Sequence, residues 1–217
     1  MADTIIDAMT PSEQLKARLA ECPLIAIIRG VTPGEAEAIG AAIYRAGIRI
    51  IEVPLNSPEP LRSSEILAKS LGDRALVGAG TVLDPADVAR VRDAGGRIIV
   101  SPSTFAPVIA ATAAANMVSS PGFYTPSEAF EALRAGAHSL KLFPAEAASP
   151  AVLKAMLAVI PRDIPLIVVG GVKPDTMRPW REAGAAGFGL GSGLYAPGRS
   201  AAETGANARA YVEGVKG

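Results

Sequence analysis

The chain has 217 residues, 21 basic and 21 acidic side chains, zero formal charge, one cysteine (Cys22) and one histidine (His138). Evenly scattered charge leaves no electrostatic footprint for nucleic acid or an anionic membrane, a lone cysteine excludes an intrachain disulfide, and a lone histidine argues against a nitrogen- or sulfur-rich metal cage. These features suggest a cytoplasmic protein that works without metal or cofactor, folded as a single domain over residues 1–217. Residues 1–9 lack a basic leader followed by an apolar stretch and read as a mobile tail. No run reaches the ~18 apolar residues of a membrane span.

Thr10-Pro11-Ser12-Glu13 opens a first helix, because a capping hydroxyl, a proline at the first helical position and an acid together satisfy free backbone amides. Apolar runs with almost no polar alternation follow at Leu24 to Ile28, Ile48 to Val53, Ala75 to Ala79, Arg97 to Val100, Met117 to Ser119, Ser139 to Phe143, Leu166 to Val169 and Gly187 to Leu190. They read as eight strands covered on both faces. Thr32-Pro33-Gly34-Glu35, Asp84-Pro85-Ala86-Asp87 and Thr125-Pro126-Ser127-Glu128 mark strand-to-helix junctions. The pairs Ala46-Gly47, Ala94-Gly95, Ala135-Gly136 and Ala183-Gly184 mark helix ends, where glycine suits the left-handed cap. The pairs are spaced by 48, 41 and 48 residues, about two strand-helix units each. The fold expected is α/β, a (β/α)8 TIM barrel with an extra N-terminal helix. An open doubly wound sheet is the competing topology, but Arg29-Gly30-Val31 follows the first strand where a Gly-x-Gly-x-x-Gly turn would be needed.

Function in such a barrel sits at the C-terminal strand ends. Lys141 is the only one of six lysines embedded in an apolar strand. Exposed lysine is neutral in about one molecule in ~2,500 at pH 7, and burial raises that fraction, so Lys141 is a candidate Schiff-base nucleophile. The competing account is a packed stem with its ammonium in water. Glu52, inward-facing by strand alternation, is a candidate acid/base or a structural partner of Arg29 or Lys141. Arg29 is suited to fork onto a substrate carboxylate or to bridge Glu52. Thr81 is suited to donate to the same carboxylate or to cap a helix. Gly170-Gly171 and Gly189-Leu190-Gly191-Ser192-Gly193 end the seventh and eighth strands, the usual phosphate-binding position of barrel enzymes.

Glu52-Val53-Pro54-Leu55-Asn56-Ser57, Gly78-Ala79-Gly80-Thr81-Val82, Ser101-Pro102, Leu140-Lys141-Leu142-Phe143-Pro144-Ala145 and Val169-Gly170-Gly171-Val172 resemble, in order, the metal-independent 2-keto-3-deoxy-6-phosphosugar-acid aldolases. The resemblance implies that Lys141 forms a pyruvate Schiff base and that Glu52 moves protons. It also implies that Thr81, Pro102 and Phe143 shape the pyruvate pocket, that Arg29 holds the carboxylate, and that the glycine loops, including Gly170, Gly171, Gly191 and Ser192, hold phosphate. The gluconate-type members carry an arginine where this chain has Asn56 and a threonine where it has Val169. In both departures the chain resembles the 6-phosphogalactonate branch. The implied reaction is cleavage of a phosphorylated keto acid to pyruvate and glyceraldehyde 3-phosphate, by a homotrimer. The alternatives are the gluconate epimer or both epimers, an isomerase using Glu52 without a covalent step, and a noncatalytic phosphosugar-binding barrel.

Overall fold

The strands of the protein, seen in a computed structural model that describes residues 9–217, all run parallel in one sheet. The tail expected over residues 1–9 lies outside the described residues except for Met9. In chain order the elements are α1 (Pro11–Glu21), β1 (Leu24–Ile27), α2 (Pro33–Ala46), β2 (Ile50–Pro54), α3 (Pro60–Leu71), β3 (Leu76–Gly80), α4 (Pro85–Asp93), β4 (Ile98–Val100), α5 (Ala106–Ala114), β5 (Val118–Ser120), β6 (Gly122–Phe123), α6 (Pro126–Arg134), β7 (Leu140–Leu142), α7 (Pro150–Leu157), β8 (Leu166–Val169), α8 (Met177–Glu182), β9 (Gly187–Leu190) and α9 (Ala201–Gly214).

The sheet order is β5-β4-β3-β2-β1-β9-β8-β7-β6. Its two edges are halves of one strand, interrupted at Pro121, which has no N–H to give to a ladder. The Pro121 carbonyl still accepts from Lys141 N at 2.8 Å, and Gly122 pairs with Lys141. The nine strands among the described residues therefore make the expected eight-stranded barrel, with its fifth strand bent at the proline.

Strand alternation sorts the side chains into two cores. Ile25, Ile27, Ile50, Leu76, Ile98 and Ile167 fill the barrel interior together with Leu15 and Leu19 of α1, so the extra helix plugs one end. Ile51, Val53, Leu140, Leu142, Val168 and Phe188 belong instead to the outer layer under the helices.

Helix ends follow the signals in the sequence. Thr10 and Thr125 form reciprocal capping boxes with Glu13 and Glu128, and Asp84 accepts from Ala86 N at 2.8 Å. Thr32 precedes its proline but caps no amide; its hydroxyl donates to Glu35 at 3.1 Å. Gly47, Gly95, Gly136 and Gly184 all have positive φ, the conformation for which glycine terminates these helices. Among the described residues, no helix is long and apolar enough to cross a membrane.

Candidate active site

Lys141 occupies the centre of β7, between Leu140 and Leu142, which both face the helices. Its own side chain must therefore point into the barrel, where it is 8% exposed. Glu52 lies two residues beyond the interior Ile50 on β2 and is 2% exposed. Among the described residues its Oε2 has no hydrogen-bond partner, and no ion pair joins it to Lys141 or Arg29. The salt-bridge accounts of Glu52 and Arg29 are thus not realised.

Each buried group is shifted towards its neutral form. Burial pushes the Glu52 carboxyl up from 4.5 to about 7, against the opposing pull of the nearby Lys141 and Arg29 charges. Burial also lowers the Lys141 ammonium below the usual lysine range; Glu52 counters this and Arg29 adds to it. A carboxyl that titrates near neutrality both gives and takes protons, and an amine of lowered pKa is a nucleophile. The Lys141 amine sits 4.7 Å from the centre of the Phe143 ring.

A cavity of about 500 Å³ opens over Lys141. Arg29, Thr81, Pro102, Phe143, Val169, Gly170, Gly171, Gly191 and Ser192 line it. Lys141 and the other nine residues singled out with it in the sequence thus meet at one mouth, with Glu52 packed behind the lining. Arg29 is held by Asn56, whose Oδ1 accepts from the guanidinium, and by Thr81 Oγ1 at 3.3 Å. Thr81 is not a helix cap, because Asp84 caps α4. It has φ +56°, a strained conformation for a β-branched residue, and this places its hydroxyl beside Arg29.

Glycines make the room. A Cβ on Gly80 would collide with the Glu52 carboxylate, and one on Gly189 would come within 2.7 Å of Val169. The cavity also takes in Glu146, Lys173, Tyr195 and Tyr211, none of which stood out in the sequence. Glu146 packs against Gly170 and Gly171, and its place in Pro144-Ala145-Glu146, just past the lysine strand, was the available signal. Lys173 follows the Gly-Gly pair by two residues. The two tyrosines come from beyond the last strand, where no local pattern announces them.

A buried lysine and a buried glutamate whose Oε2 has no partner among the described residues, each shifted towards its neutral form at the mouth of a β/α barrel next to backbone glycine loops, define an enzyme that works through amine chemistry. The model of the family "KDPG and KHG aldolase" matches residues 15–203. The chain belongs to that family, and it is a carbon-carbon lyase. It is 45% identical over 89% of its length to the 2-dehydro-3-deoxy-6-phosphogalactonate aldolase of Escherichia coli K12, covering 95% of that protein. A solved structure described as "Native KDPGal structure" superposes with a TM-score of 0.89 at 44% identity, over 90% of this chain and 95% of that one. The KDPG aldolase of Legionella pneumophila, solved with pyruvate captured as a covalent carbinolamine intermediate, has a TM-score of 0.74 at 27% identity, over 95% of this chain and 97% of that one.

The burial of Glu52 is testable apart from catalysis. A carboxyl whose pKa is raised from 4.5 unfolded to about 7 folded binds its proton more tightly in the native state. Its stabilising contribution is complete below pH ~4.5 and lost as pH rises through ~7. Replacing Glu52 with Gln removes that loss, so the variant should gain on the order of 3 kcal/mol relative to the parent between about pH 4.5 and pH 8. Urea unfolding at both pH values measures this; a pH-independent difference would contradict the burial account.

Proposed function

We propose that the protein cleaves 2-dehydro-3-deoxy-6-phospho-D-galactonate to pyruvate and D-glyceraldehyde 3-phosphate through a Schiff base on Lys141. The observation that carries this reading is the buried pair Lys141 and Glu52, not joined in an ion pair among the described residues and each shifted towards its neutral form, beside a cavity that the glycine loops also line.

In the proposed sequence the Lys141 amine attacks the C2 carbonyl to give a carbinolamine, which loses water to form an iminium. Glu52, acting through water, supplies and removes the protons that these steps exchange. The iminium withdraws electrons as the C4 hydroxyl loses its proton and the C3–C4 bond breaks, leaving an enamine and glyceraldehyde 3-phosphate. Protonation of the enamine at C3 and hydrolysis release pyruvate and restore the amine. Arg29, steadied by Asn56 and Thr81, takes the carboxylate; the arginine of the gluconate-type relatives is missing at Asn56, so that duty shifts to Arg29. Thr81, Pro102 and Phe143 bound the pyruvate end. The amides of Gly170, Gly171, Gly191 and Ser192 receive the phosphate. The apolar Val169 offers no hydroxyl near C4, which supports the galactonate epimer, since a site built around one hydrogen bond discriminates strongly against a partner that lacks it.

The test is pyruvate release from the two C4-epimeric phospho acids on the same enzyme. The reading expects kcat/KM at least ~100-fold higher for the galactonate form, about 2.7 kcal/mol of differential transition-state binding, and a smaller ratio after Val169→Thr. A ratio near one would keep the aldolase and defeat the substrate choice, and binding of either acid without pyruvate release would point to a noncatalytic barrel.

The proposal includes one catalytic domain per chain, action in the cytoplasm and assembly as a homotrimer. Leu83 and Phe105, on the loops after β3 and β4, are 57% and 46% exposed, large apolar surfaces suited to contacts between copies. Sedimentation equilibrium should give three chain masses; one chain mass at micromolar concentration would overturn the trimer.

A further inference from the structure

The two glycine loops of the cavity follow different strands, β8 and β9. An anion gripped by both requires a fixed spacing between them, which neither loop sets alone. Tyr211, on α9, reaches both. Its hydroxyl donates to the carbonyl of Val172, at the end of the first loop, at 2.9 Å. The same oxygen fills the space beside Gly193 in the second loop, where a Cβ would collide with it and would stand 3.4 Å from the ring carbon that bears it. Gly193 is not among the glycines with positive φ, so its backbone conformation does not demand glycine. The close approach of Tyr211 does. The ring is 3% exposed and packs in the outer core, which leaves it little freedom to follow a moving loop. Arg199 donates to the carbonyls of Ser192 and Gly193 at 2.9 and 3.4 Å, but it braces the second loop only.

We propose that Tyr211 is a positioning residue that sets the spacing of the two phosphate-binding loops, so that recognition of the substrate's phosphate depends on its hydroxyl. This rests on the reading of those loops as the phosphate site. The rival account is a core hydrogen bond that contributes only to stability, typically about 0.5–1.5 kcal/mol.

The experiment compares Tyr211→Phe with the parent on the phosphorylated keto acid, on its nonphosphorylated counterpart, and in pyruvate methyl-proton exchange followed by NMR in D2O. The expected result is a roughly 10-fold higher KM for the phosphorylated acid, about 1.4 kcal/mol, with the other two rates held within about twofold. Inhibition by inorganic phosphate should weaken in parallel. Gly193→Ala, whose Cβ would collide with the Tyr211 hydroxyl, should likewise raise the KM for the phosphorylated acid, and the double variant should lose little more than either single one. Equal losses on both acids, or no loss on either, would overturn the proposal. If the parent itself does not prefer the phosphorylated acid, the fault lies in the reading of the loops, and Tyr211 falls with it.

Discussion

The structure depends on the burial of two ionisable side chains on facing walls of the barrel. Bulk water would hold Lys141 as an ammonium, which is no nucleophile, and Glu52 almost wholly as a carboxylate, which has no proton to give. Inside the barrel the cost of burying charge shifts both groups towards neutrality, and the pull between them is too weak to reverse it. A direct ion pair would have restored both charges and locked the amine away. Leaving Glu52 Oε2 without a partner among the described residues costs stability, a cost that the ladder of parallel strands and the two apolar cores must offset.

Small residues create that arrangement as much as the reactive ones do. Glu52 pairs in register with Gly78 on β3, and its carboxylate lies against Gly80 two residues further on. Any side chain at Gly80 would push the carboxylate out of place. Gly189 does the same for Val169, and so the glycines of β3 and β9 shape the interior from opposite sides of β1 and β2. The apolar interior below, plugged by Leu15 and Leu19, keeps water from reaching the pair from the far end.

The strands, the capped helix starts and the glycine helix ends were legible in the sequence, because each is written in a short local pattern. Lys141 and Glu52 were legible for the same reason: a charged residue at an inward position of an apolar strand stands out. The bend at Pro121 was not, since the apolar run Met117 to Ser119 reads as the whole fifth strand, and its second half, Gly122–Phe123, is a strand only through its pairing with β7. Nor was the hold of Asn56 and Thr81 on Arg29, which requires three loops to meet and a threonine in a left-handed conformation that its side chain disfavours. Tyr211 and Tyr195 reach the cavity from beyond β9, and contacts over such separations leave no periodic trace.

The central claim is that burial makes Lys141 a nucleophile towards pyruvate, and the most direct test is borohydride trapping on the chelator-treated enzyme, read by intact mass and peptide mapping. The account predicts one reduced pyruvate adduct per chain, on Lys141, and none after Lys141→Met in a protein that still folds. An enzyme that turns over under the same conditions without an adduct, or that carries it on another lysine, would contradict the account.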